Sequence, residues 1–157
     1  MKSVKIGNQV WMQENLAIDD GDEGITYNPD NGQYYYTWDA AMRVATSING
    51  WHLPSAEEWN TAAEVCGATI DPYYIACPGA FMLDYKNAQK LSDILMILYA
   101  GYQCRKWFIN VWNLGCFWTG TESGNDDAYF RYFNLNGELV ADTDFKYNRF
   151  TVRLVKD

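Results

Sequence analysis

The chain has 157 residues, 48% hydrophobic and 20% charged, the size of one domain with enough apolar side chains to bury a core. Its formal net charge is −8, from 20 Asp and Glu against 12 Lys and Arg, which excludes nucleic acid as the expected partner because phosphate binding needs a basic surface. No apolar run reaches the ~18 residues of a membrane-spanning helix, and "MKSVKIGNQVWMQENL" lacks the apolar segment of a signal peptide.

In chain order, "VKIGNQVWM" predicts two short strands around a Gly7-Asn8 turn. "IDDGDEGITYNPDNGQ" is rich in Asp, Gly and Asn and reads as a loop. "TWDAAMRVATSING" predicts the first helix, with Thr37 as cap, Ala40, Ala41, Val44 and Ala45 as the apolar stripe, and Gly50 beyond its end. In "WHLPSAEEWNTAAEVCG", Ser55 and Glu58 form a capping box: the hydroxyl takes a free N–H and the carboxylate returns to the cap N–H. Trp59, Ala62, Ala63 and Cys66 then share one face of a second helix that Gly67 stops.

"TIDPYYIACPGAFMLDY" reads as a loop, and "NAQKLSDILMILYAGY" as a short helix that turns into a strand near Leu98. Short β pieces follow, of which "GCFWTGTE", "DAYFRYFNLNG" and "NRFTVRLVKD" are the strongest. Helices first and strands later predict an α+β fold over residues 1–157 as a single domain.

Chemistry-bearing clusters are sparse. The cysteines are Cys66, Cys77, Cys104 and Cys116, with no CxxC pair, and His52 is the only histidine, so no zinc site and no cofactor are expected. A Cys66–Cys77 disulfide stays open beside free buried thiols. The acidic run with Asp19, Asp20, Asp22 and Glu23 lacks a complete calcium-loop pattern and reads as a solvated loop. A hydrolytic triad needs a base, and His52 sits in the packing block "GWHLP", so no catalytic residues are expected.

The blocks "VKIGNQVWMQENL", "YYYTWDAAMRVA", "GWHLPSAEEW", "GCFWTGTES" and "FTVRLVKD" together resemble, in order and over nearly the whole chain, the Fibrobacter succinogenes major paralogous domain family. "WHLPSAEEW" also resembles a block of the formylglycine-generating enzymes. The resemblance implies a C-type-lectin-like fold of the formylglycine-generating-enzyme-like subclass, two helices on a small antiparallel sheet with long loops. Asn49 and Leu154 stand where many members carry cysteines. The sugar-binding calcium motifs of true C-type lectins are absent.

Some members resemble the variable proteins of diversity-generating retroelements, in which a lectin-like scaffold stays fixed while positions near the C-terminus change. By that resemblance the replaceable, ligand-binding positions are Trp107, Ile109, Asn110, Trp112 and Cys116, with Phe130, Tyr132 and Asn134 as a second group. In "AYFRYFN" alternation separates an inward set, Tyr129, Arg131 and Phe133, from an outward set, Phe130, Tyr132 and Asn134. Phe117 and Trp118 read as framework. The expected partner is a protein or glycan, and the expected setting a phage virion or bacterial cell surface. A fixed-sequence adhesive domain and an oxidase using Cys104 and Cys116 are the competing readings.

Overall fold

In the computed structural model, which describes residues 2–72 and 80–157, the Gly7-Asn8 turn joins β1 (Ser3–Ile6) to β2 (Gln9–Met12) as predicted. The acidic loop is shorter than its composition implies. It gives way to a second hairpin, β3 (Ile25–Asn28) and β4 (Gln33–Tyr36). Asn28 and Asn31 build the intervening turn, their side chains accepting from the N–H groups of Asp30 and Gln33. This local turn chemistry lets an Asp- and Asn-rich segment carry strands. The remaining acids of the loop are solvated, with Asp20 and Asp22 paired to Arg43 on the surface.

Helix α1 (Trp38–Thr46) follows, capped by Thr37, and buries Trp38, Ala40, Ala41, Val44 and Ala45. Strand β5 (Trp51–His52) leads into α2 (Ala56–Val65), where the capping box forms in full: Ser55 Oγ accepts from the Glu58 N–H at 3.0 Å and Glu58 Oε1 from the Ser55 N–H at 3.0 Å. Trp59, Ala62, Ala63 and Cys66 are buried along one face, and Gly67, at φ +85°, turns the chain away. Strand β6 (Thr69–Ile70), a 3₁₀ turn at Ala80–Met82, β7 (Tyr85–Lys86) and α3 (Gln89–Ile94) complete the first half. Cys66 is a free thiol, and the possible pairing with Cys77 lies outside the described residues. No strand forms near Leu98. The chain stays irregular until β8 (Tyr102–Cys104), because Met96 adopts φ +53° and breaks the extended run.

The second half is mostly sheet. Strand β9 (Trp107–Ile109) pairs with β8, and β10 (Gly115–Glu122), β11 (Asp127–Phe133) and β12 (Leu139–Phe145) form a meander. The tail "NRFTVRLVKD" divides into β13 (Arg149–Phe150) and β14 (Val155–Lys156), which enter different sheets. The three sheets run β1-β2-β14-β5, β10-β11-β12-β7-β6 and β3-β4-β13-β8-β9, with every strand pair antiparallel among the described residues. The molecule is a few helices on curled antiparallel sheets.

Two cores lie on opposite sides of β10. Cys116 and Trp118 face a core built with α1, Met12, Phe130 and Phe150. Phe117 faces the other, with Trp11, Trp59, Leu91, Leu95 and Phe133. A strand covered on both faces needs large apolar groups at successive positions, which is why the aromatic run does not alternate with polar residues. Phe117 and Trp118 are both fully buried, in agreement with a framework role, and Trp118 Nε1 donates to the Tyr36 carbonyl at 2.7 Å.

The same geometry corrects the reading of β11. Both of its faces are covered, one by the core of α1 and the other by α2, so neither is a solvent face along its length. Arg131 is fully buried against α2, donating to the Phe130 and Ala56 carbonyls and to Asn60 Oδ1, and burial lowers its pKa to about 10.

Candidate ligand-binding face

The β8–β9 hairpin forms the edge of its sheet, and its position depends on Gly101. At φ +62°, a Cβ there would meet the Ile109 carbonyl oxygen at 2.0 Å, so only glycine lets the chain pass. The turn places Arg105 at φ +56° and pairs Cys104 with Trp107. Beyond β9, Asn110 at φ +57° accepts from the N–H groups of Asn113 and Leu114 and folds the chain back. Trp112 follows at φ +74°, its N–H bound to the Tyr99 carbonyl at 2.6 Å. Asparagine tolerates this left-handed backbone, whereas tryptophan carries about 1–2 kcal/mol of strain there.

Both tryptophans stand in water. Trp107 is 64% exposed and Trp112 73%, the most exposed large hydrophobic side chain among the described residues. They open onto different concavities. Trp112 borders a small one of about 120 Å³ with Asn31, Gln33, Leu98 and Tyr99. Trp107 and Ile109 border an open cleft of about 490 Å³ that is also lined by Cys104 and Arg105 of the same hairpin and by Asp144, Phe145, Tyr147 and Asn148. Phe145 and Tyr147 are exposed and stack on each other, ring centroids 5.1 Å apart and planes within 5°. They also border a neighbouring cleft of about 400 Å³ with Lys146 and Asp126, so the stacked pair forms a ridge between two hollows.

The cleft brings two sheets together. Tyr102 and Trp107 come from the β8–β9 hairpin, Asp144 and Phe145 from the end of β12. Tyr102 stacks on Phe150, which ties the cleft wall to the core of α1. Asp144 Oδ1 accepts from the Phe145 N–H at 2.7 Å and from Asn148 Nδ2 at 2.9 Å. Partial burial holds the Asp144 carboxyl above the usual range, with the charges of Asp142 and Asp127 adding to it against the lowering effect of those hydrogen bonds. Burial likewise raises the Tyr102 and Tyr132 phenols, with the charges of Asp144 and Asp142 adding to it respectively.

Of the positions singled out from the sequence, Trp107, Ile109, Asn110 and Trp112 fall on this hairpin and its return loop, with Asn110 exposed and Ile109 half-buried. Two others are corrected. Cys116 is 1% exposed and Phe130 7%, because β10 and β11 turn these side chains into the core of α1. Burial pushes the Cys116 thiol far up, leaving it protonated and inert. Tyr132 is half-buried, stacked on Phe130, and Asn134 is spent on its own turn, accepting from Asn136 and Glu138 N–H groups. Sequence reasoning missed Tyr102, Asp144, Phe145, Tyr147 and Asn148. The signal for the ridge was two aromatics spaced two apart in "DFKYN", a polar stretch with no core to serve. His52 is half-exposed rather than packed, its Nδ1 2.6 Å from Asp157 and its Nε2 2.9 Å from Glu58. Among the described residues, no group of three or more His, Cys, Asp or Glu side chains is placed to hold a metal ion, and no helix is long and apolar enough to cross a membrane.

Comparison with known families matches residues 4–156 to the model described as the Fibrobacter succinogenes major domain. No curated protein and no solved structure matches the chain.

Proposed function

The chain belongs to the Fibrobacter succinogenes major domain family, and we propose that it is a recognition module without catalysis, a single C-type-lectin-like domain that binds a protein or glycan. Its binding face is the β8–β9 hairpin and return loop together with the Phe145–Tyr147 ridge. The observation that carries this reading is the pair of exposed tryptophans, one held at a strained backbone angle. A folded chain gains nothing in stability from strain that keeps an indole in water, and such outliers cluster where a ligand is met. Exposed aromatics are also the side chains that dominate interface energies, each worth about 2–4 kcal/mol when central.

Diversification by a retroelement is part of the proposal, confined to Trp107, Ile109, Asn110 and Trp112. A near-identical repeat differing at adenines, with a reverse transcriptase gene beside it, is expected in the neighbouring DNA; the lack of both removes this part and leaves a fixed-sequence adhesive domain. The burial of Cys116 and Phe130 favours that second reading at those two positions, since changing them changes the core. Recognition itself is tested by screening the domain on glycan arrays and displayed peptide libraries. Binders are expected whose affinity falls about tenfold or more in Trp107→Ala or Trp112→Ala. Binders indifferent to both substitutions contradict the assignment.

A further inference from the structure

We infer that the cleft lined by Trp107 and the Phe145–Tyr147 ridge binds an uncharged pyranose sugar of a glycan. This assignment rests on the binding-face reading above and decides between its two partner classes. The walls, the polar lining and the charge of the cleft each point to it.

The walls are aromatic. Tyr102, Trp107, Phe145 and Tyr147 all line the cleft, and the last three are exposed. A pyranose ring carries axial C–H bonds on its faces, and these weakly positive hydrogens are attracted to the negative faces of aromatic rings. Lys106 Nζ lies 5.0 Å from the Trp107 ring centroid but Lys106 does not line the cleft, and so exposed an ammonium is held only weakly by a ring. The volume of about 490 Å³ falls within the roughly 300–1,000 Å³ of small-ligand sites.

The polar lining holds donors and acceptors together. The Arg105 guanidinium, the Tyr102 and Tyr147 hydroxyls and Asp144 Oδ2 have no hydrogen-bond partner among the described residues. A guanidinium only donates, a carboxylate only accepts, and a phenol does both. Sugar hydroxyls also do both, so neighbouring hydroxyls of one ring match such a mixed set. Asn148 is buried and meets no ligand; its Nδ2 donates to Asp144 Oδ1 at 2.9 Å and fixes the carboxylate. Arg105 and Asp144 carry opposite charges, so a cationic side chain meets one like charge in the cleft and an anionic side chain meets the other. An aliphatic side chain would cover these polar groups without pairing them. A neutral polyhydroxylated ring is the ligand that neither charge repels and both kinds of polar group can bind.

The test is titration of the ¹⁵N-labelled chain with the methyl glycosides of glucose, galactose, mannose and xylose, and with sorbitol, which keeps the hydroxyls but lacks the ring. The Trp107 indole, the Arg105 side-chain N–H and the Phe145 amide report on the cleft, and the Trp112 indole reports on the other concavity. Saturable shifts at the cleft are expected with at least one glycoside, with a dissociation constant on the order of 1–10 mM, and binding at least about fivefold weaker with sorbitol. Because the ligand is uncharged, its affinity is expected to stay within about twofold between about 20 and 500 mM salt. Trp107→Ala removes a stacking wall whose side chain is mostly in water, so the fold is kept, and weakening of about fivefold is expected. Asp144→Asn keeps an oxygen for the Phe145 and Asn148 hydrogen bonds and turns the free acceptor into a donor, with weakening of about fivefold expected. No cleft shift with any glycoside at about 50 mM, equal binding of sorbitol, a tenfold loss with salt, shifts centred on Trp112, or indifference to both variants overturns the inference. A peptide whose binding is lost in Trp107→Ala, while every glycoside fails, overturns the sugar assignment alone and leaves the binding face standing.

Discussion

Trp112 combines the left-handed backbone with an indole mostly in water, and the two facts separate stability from function. Asparagine adopts that backbone readily, so Trp112→Asn is expected to raise stability by about 0.5–1 kcal/mol in denaturant unfolding while weakening any ligand bound by the face. A loss of more than about 1 kcal/mol instead assigns the indole a packing role. His52 makes a second residue-level case. Partial burial disfavours its charge, but the carboxylates of Asp157 and Glu58 outweigh this and raise its pKa above the ordinary 6.5. With the folded value raised, the stability it contributes is fully present below the unfolded value of 6.5 and is lost as pH rises through the folded value. Thermal melts from about pH 6 to 9 are expected to show this decline, and His52→Gln to flatten it. An unchanged slope in the variant places the titration elsewhere.

The elements differ in how openly the chain announces them. The capping box of α2 was legible because each of its two hydrogen bonds joins residues three apart, and both form. Ser55→Ala is therefore expected to cost about 1 kcal/mol, a fall of roughly 2–4 °C in melting temperature, measured by circular dichroism. The hairpin β3–β4 was hidden by its Asp- and Asn-rich composition, which serves turn formation as well as solvation. The tail could not be divided from sequence because β13 and β14 are separated by Arg153, a buried side chain held by distant groups. Its guanidinium donates to Asn15 Oδ1 and to the Met12, Leu95 and Met96 carbonyls. Leu95 and Met96 are the residues that close α3, so the buried charge fastens the tail to that helix end. Arg153→Leu is expected to cost about 3–5 kcal/mol by leaving these acceptors unpaired, read from chemical denaturation; a change under about 1 kcal/mol contradicts it.

At the scale of the molecule, the question is which aromatics hold the fold and which face a partner. Local sequence separated them only in part. Trp107 and Trp112 were placed outward and stand outward, whereas Cys116 and Phe130 were placed outward and lie in the core. Alternation along β11 told which residues share a face but not that both faces are covered, which depends on α1 and α2 packing from opposite sides. The Phe145–Tyr147 ridge was missed because its role appears only when β12 ends beside the β8–β9 hairpin. The proposed function divides the chain into a fixed framework and a replaceable recognition surface, and one display experiment tests that division. Trp107, Ile109, Asn110 and Trp112 are randomised in one library and Cys116, Phe117, Trp118 and Phe130 in another, and protease-resistant clones are counted in each. Most clones of the first library are expected to stay folded and to yield binders under selection, and nearly all clones of the second to unfold. Comparable loss of folding in both libraries, or a first library that folds but yields no binder to any target, contradicts the account.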